Sequence, residues 1–403
     1  MSVAQRGRMP RSLLASLGLL VACTTYTPPV PPDVPTGPLQ LNDVSILFPL
    51  STTYLSASSS GARGALVPES LYDSFGGITG STFGPDDDDV GHADYGDLHA
   101  VAMRIDPCFA ALDPDPQGFG CTAQLRLVFQ EVRRPDTSMP PSAFDSGLHA
   151  FYQLSRADLL QLAHDIAAFR AASSTGRLGA LAIHPLFARD GESGEFASGV
   201  RGLILEYAGA QNLTRLARLS SLGDRTWAFN SDDVGDRGQL TALPIPSLAG
   251  SAAQQFFLGG DGDVFTGGYE PSTTSSDDLT ALAGLGEPTA EAQTAFAALV
   301  RIDNPRDHSA TTIDCESCHT ATPLSRYNAA PTYGLVEATA PGAFQADGTY
   351  VLASELTPTF DSGSDFPFQL HAFSYLDTTP EIDQRVVNES AAVVVYLNHA
   401  LGL

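Results

Sequence analysis

The sequence predicts an α+β protein: a β-rich N-terminal domain, built as an antiparallel sheet or sandwich bearing a helix, followed by a mainly α-helical domain. Three stretches carry this expectation. In residues 122–132, Leu125, Leu127 and Phe129 alternate with Gln124, Arg126 and Val128, the period of a half-buried strand. In residues 155–173, Leu159, Leu162, Ala163, Ile166 and Phe169 recur at helical spacing behind Ser155, a good N-cap. Near the C-terminus Val387, Ala391, Val394 and Leu397 keep the same helical spacing.

The remaining elements follow from the same rules. HAVAMRID (99–106) and GVRGLILEYAG (199–209) read as further strands of the first domain, which spans 42–255. Residues 256–287 shift towards Gly, Ser, Thr and Asp and read as a linker. The second domain, 288–403, opens with Pro288 and a helix in which Phe296, Leu299 and Val300 share a face. Its last helix is expected to start with Thr379 as cap and Pro380 in the first turn.

Charge narrows the partners. With 21 arginines and no lysine against 46 acids, the 403-residue chain carries −25, which repels nucleic acid and anionic lipid. The absence of lysine also excludes a Walker A loop and Schiff-base chemistry. Arg6, Arg8 and Arg11 precede an apolar run from Leu13 to Ala22 that ends in LVAC at Cys23. This start resembles a bacterial lipoprotein signal with its lipobox. The resemblance implies that residues 1–22 are removed and that Cys23 carries the acyl chains. Thr24 after the cysteine implies an outer-membrane destination facing the periplasm. Residues 23–41, rich in Pro and Thr, would tether the fold to the lipid. Loss of the leader removes three arginines and no acid, which takes the charge to −28.

Four cysteines then remain. Cys108 and Cys121 bracket a loop in an oxidising compartment and are expected to form a disulfide, worth about 3 kcal/mol on the loop-entropy model. Cys315, Cys318 and His319 stand in the order C-x-x-C-H, in which two thiols take up haem vinyl groups and the adjacent imidazole ligates iron. A zinc set completed by His308 or His371, or a redox dithiol, are the competing readings.

Residues 315–319 resemble the haem-binding motif of c-type cytochromes, and the helices before the motif and at the C-terminus resemble the crossed terminal helices of small members of that family. The resemblance implies one covalent haem c, thioethers at Cys315 and Cys318, and His319 as proximal ligand. The family's distal methionine has no counterpart, because no methionine lies beyond Met139. His371, in the aromatic segment FPFQLHAFSYL, is the first choice for the second ligand, ahead of His399 and His308. The expected function is single-electron transfer in the cell envelope by a lipid-anchored cytochrome whose acidic surface meets a basic redox partner. A peroxidase-like haem enzyme, with His371 as distal acid–base group, and a haem-containing binding or sensor protein are the alternatives.

Overall fold

The computed structural model describes residues 37–403 except 82–89, 109–121, 135–137, 174–175, 224, 258–267, 276, 278–289, 311, 327–333, 336–341 and 359–369. Its centre is one large antiparallel sheet. Eight strands follow one another in space as they do along the chain: β1 (Ser45–Leu47), β2 (Leu98–Asp106), β3 (Gln124–Arg133), β4 (Ser146–Gln153), β5 (Leu213–Gly223), β6 (Thr226–Val234), β7 (Ala253–Phe257) and β8 (Gly268–Glu270). Two short strands, Ser142–Ala143 and Leu240–Ala242, add to β3 and β6. Five helices matter here: α1 (Arg156–Ala172), α2 (Glu195–Tyr207), α3 (Ala290–Ile302), α4 (Cys315–Leu324) and α5 (Gln384–Leu401).

Side chains of a strand alternate between faces, so the register decides which residues meet which layer. Leu148, Ala150 and Tyr152 of β4 join Leu159, Leu162 and Ile166 of α1 in one buried core. The opposite face carries Gly147, His149 and Phe151. Across that face run two rows, Val128–His149–Ala217–Ser231 and Arg104–Arg126–Phe151–Arg215–Asp233. A third row, Gly147–Leu219–Phe229–Gln254, lies beside them. On this face Leu219, Trp227, Phe229 and Phe256 form a second core with Phe296, Leu299 and Leu324 of α3 and α4 and with Leu370. The sheet is thus a middle layer with α1 on one side and α3 and α4 on the other.

Several elements appear as expected. Ser155 caps α1 by accepting from the Asp158 N–H at 3.0 Å, and β2 and β3 occupy the alternating stretches. Others differ. GVRGLILEYAG, expected as a strand, lies in α2, because Phe196, Val200, Leu203, Ile204 and Tyr207 all bury one side of a helix. Thr379 and Pro380 sit in a hairpin strand, Thr379–Ile382, paired with Phe373–Leu376; the cap of α5 is Asp383, whose carboxylate accepts from the Val386 N–H at 2.9 Å. The tether stops short of residue 41: Leu39 is fully buried and its N–H donates to the Asn398 side chain at 2.7 Å.

Parts of the expected linker pair in the sheet, residues 256–257 within β7 and 268–270 as β8. Helix α5 binds the sheet edge through the Ser45 and Ser390 hydroxyls at 2.7 Å and Arg104 to Glu389 at 2.6 Å. Arg385 of α5 donates to the Ile302 and His308 carbonyls, both at 2.7 Å, and so ties the end of α3 to the same edge. The structure is mixed, with a large antiparallel sheet and eight helices among the described residues.

Asp383 gives this arrangement a pH signature. Burial pushes its carboxyl up from 3.8 to about 7, against the opposing pull of the Val386 N–H. An acid raised in the folded state favours folding when protonated, so its contribution falls as pH climbs from about 4 to about 7 and is then constant. Asp383→Asn keeps a capping oxygen but cannot ionise. The expected result is a shallower fall of melting temperature between pH 4 and 7, with the variant at least as stable as the wild type at pH 8, measured by thermal denaturation.

Candidate functional site

The helix carrying the C-x-x-C-H motif is held at its first turn by the sheet. Asp314 caps α4 by accepting from the Ser317 N–H at 3.0 Å. Gln254 of β7, fully buried, donates to the same Asp314 oxygen at 2.9 Å and accepts from the Glu316 N–H at 3.0 Å. One amide therefore satisfies the cap and one of the free helix-start donors together. At the far end Thr322 donates towards the Asp303 carboxylate at 3.2 Å and accepts from the Gln384 N–H at 3.0 Å, which links α4 to α3 and α5.

His319 is fixed by a hydrogen bond of 2.7 Å between its Nδ1 and the Leu370 carbonyl. A carbonyl only accepts, so Nδ1 carries the proton and Nε2 keeps its lone pair, the tautomer in which imidazoles ligate metals. Burial, against the pull of the Leu370 carbonyl, together with the charges of His371 and Arg126, lowers His319 to about 4, so the ring is neutral at physiological pH. It tilts over Phe229 with ring centroids 5.1 Å apart.

Cys315 and Cys318 are free thiols. Burial pushes Cys318 up to about 12 and Cys315 higher still. A redox dithiol depends on a lowered thiol pKa, the reverse of this environment. Among the described residues no three His, Cys, Asp or Glu side chains converge as a metal set. Zinc takes four such ligands from the protein, whereas a porphyrin brings four nitrogens of its own.

Beside the motif lies a cavity of about 430 Å³ whose walls include Cys315, Phe151, Arg104, Arg126, Arg215 and Arg385. The buried Nε of Arg126 has no hydrogen-bond partner. Glu389 lies among these guanidiniums: burial would raise its carboxyl, but Arg385, Arg104 and Arg126 hold it well below the usual range. Gly147 is buried, yet a Cβ added there would meet nothing within 4 Å, so open space lies over the sheet at that point. A buried opening, a rim of arginines, two free thiols and an imidazole with its proton on the far nitrogen fit a haem.

His371 occupies a different role from the one expected. Its Nε2 meets Asp145 at 2.8 Å and its Nδ1 meets the Ser374 hydroxyl at 2.9 Å, while the other Asp145 oxygen accepts from the Trp227 indole at 3.0 Å. Both ring nitrogens are engaged in a buried network, and the residue directly follows Leu370, on the same side as His319. His308 is held by Asp277 at 2.9 Å, and His399 stands edge-on to Tyr350. Cys108 is disulfide-bonded and lines the cavity, whereas Cys121 and Cys23 lie outside the described residues. Among the described residues no helix is long and apolar enough to cross a membrane. The sequence reading missed Gln254, the cavity arginines and His149, which projects from the sheet beside Gly147.

Gln254→Ala would leave the Glu316 N–H without its partner and the buried Asp314 carboxylate with the Ser317 N–H alone. The expected cost is about 2 kcal/mol, read as a lower midpoint in chemical denaturation with an unchanged slope. The chain matches no protein family, no curated protein and no solved structure.

Proposed function

We propose that the chain is a monohaem c-type cytochrome that passes single electrons in the cell envelope, anchored by lipid at Cys23. The observation that carries this reading is the His319 Nδ1 bond to the Leu370 carbonyl, which leaves Nε2 free one helical turn from two unpaired thiols. Cys315 and Cys318 would hold the group as thioethers, each adding its S–H across a vinyl bond without oxidant. His319 would ligate its iron, with Leu370 setting the orientation and basicity of the imidazole. Arg104, Arg126 and Arg385 supply positive charge for the propionates, and the partnerless Nε of Arg126 is a ready donor. Bound there, the haem supplies an iron that changes valence by one electron.

The protein's part is to hold the ligand residues still. Phe229 and Leu370 contact His319, Trp227 and Phe256 extend the apolar core beside Cys315 and Cys318, and the clamp at Gln254 fixes α4 against the sheet. Rigid placement suits electron exchange, because little rearrangement accompanies the change in charge. The net charge of −25 calls for a basic redox partner, attracted at low salt and less so at high salt.

The test is covalent haem. The full chain, produced with a c-type maturation system, is expected to stain for haem on a denaturing gel, and Cys315→Ser with Cys318→Ser to abolish the stain. A wild-type protein that folds but carries no stain overturns the reading. For the partner, the rate of reduction by hexaammineruthenium(II), a small cation, is expected to fall as salt rises. A rate that rises with salt overturns the acidic docking surface.

A further inference from the structure

We propose that the second axial position of the haem is filled by His149, from the middle of the sheet. The inference rests on the haem reading above and adds the residue that decides what the iron can bind. His149 is the central residue of the row Val128–His149–Ala217–Ser231, on the face against which α3 and α4 pack. The adjoining row on that face contains Phe229, over which the His319 ring is tilted at 5.1 Å. Both imidazoles thus belong to this face of the sheet, His319 reaching it from the motif helix and His149 projecting from a strand close by.

Space and chemistry select His149 from its neighbours. Gly147, two residues earlier on the same face, leaves an opening of at least 4 Å where a side chain would stand. Ala217, directly opposite His149, is small and lines the cavity, as does Phe151 on the other side. A flat group covering Gly147 and Ala217 meets the His149 ring. Among the described residues the His149 nitrogens make no hydrogen bond; the ring only stacks on Phe151, with centroids 6.5 Å apart. Burial, then the nearby Arg126 guanidinium, lowers its pKa well below the ordinary imidazole value.

The other donors are placed elsewhere. Met103 pairs with Leu127, in the row of Ala150 on the opposite face, and Met139 is half-exposed at 51%. His371 and His308 each have a carboxylate partner. Val128, Ala217 and Phe151 offer no ligand atom.

Two imidazoles give a six-coordinate, low-spin iron that needs no incoming ligand. The test uses the full chain with its covalent haem. Wild type is expected to show a low-spin spectrum with no response to carbon monoxide. His149→Ala should keep the haem stain, become high-spin when oxidised and bind carbon monoxide when reduced. Added imidazole should restore the low-spin spectrum, a rescue that a misfolded variant would not give. His149→Met, also stained, should raise the reduction potential. A stained His149→Ala protein that stays low-spin and indifferent to carbon monoxide overturns His149 while leaving the cytochrome reading intact. Absence of stain in the wild type overturns both.

Discussion

A slip of one residue in β4 would turn Gly147, His149 and Phe151 away from α4 and put Leu148, Ala150 and Tyr152 in their place. The site depends on that register. One face enforces it: Leu148, Ala150 and Tyr152 are fully buried in the core with α1, so a slip would take all three out of that core and bury a histidine among leucines. The face left for the motif helix is then defined by default, with a glycine, an alanine and a histidine at the centre and apolar rings at one end. Gln254 completes the arrangement by joining β7 to the first turn of α4.

Electrostatics within the site run against the chain as a whole. The surface is acidic, yet the cavity gathers arginines at 104, 126, 215 and 385. Guanidinium suits a largely buried position because it is weakly hydrated, cannot lose its proton and bonds carboxylates in a fork. Glu389 balances part of that charge, at 2.6 Å from Arg104 and 2.7 Å from Arg385, and Asp106 accepts from Arg126 at 3.3 Å. The charge left over is what anionic propionates would meet.

The two thiols and the imidazole share one physical setting. Burial favours their neutral forms: protonated for Cys315 and Cys318, and singly protonated for His319. The Leu370 carbonyl then chooses which nitrogen of His319 keeps the proton. His371, the next residue, extends the same support by fixing the hairpin through Ser374 and the Trp227 pair through Asp145. The histidine expected as an iron ligand thus braces the segment that holds His319.

The motif at residues 315–319 was legible because it is local: its residue types and spacing lie within little more than one helical turn. Helix α1 and strands β2 and β3 were legible for the same reason, since periodicity is a property of neighbouring residues. GVRGLILEYAG was misread because a short apolar run satisfies strand and helix patterns alike, and the packing of α2 on the core settled it. The start of α5 moved because Pro380 is as acceptable at a strand edge as in a first helical turn. The sequence by itself determined the motif, the alternation and the sign of the surface charge. Only the tertiary structure decided that residues 253–257 join the sheet, that α5 closes onto its edge, and that His149 stands on the face against which the motif helix packs. Which strand face meets which helix is a matter of long-range packing, and no local spacing encodes it.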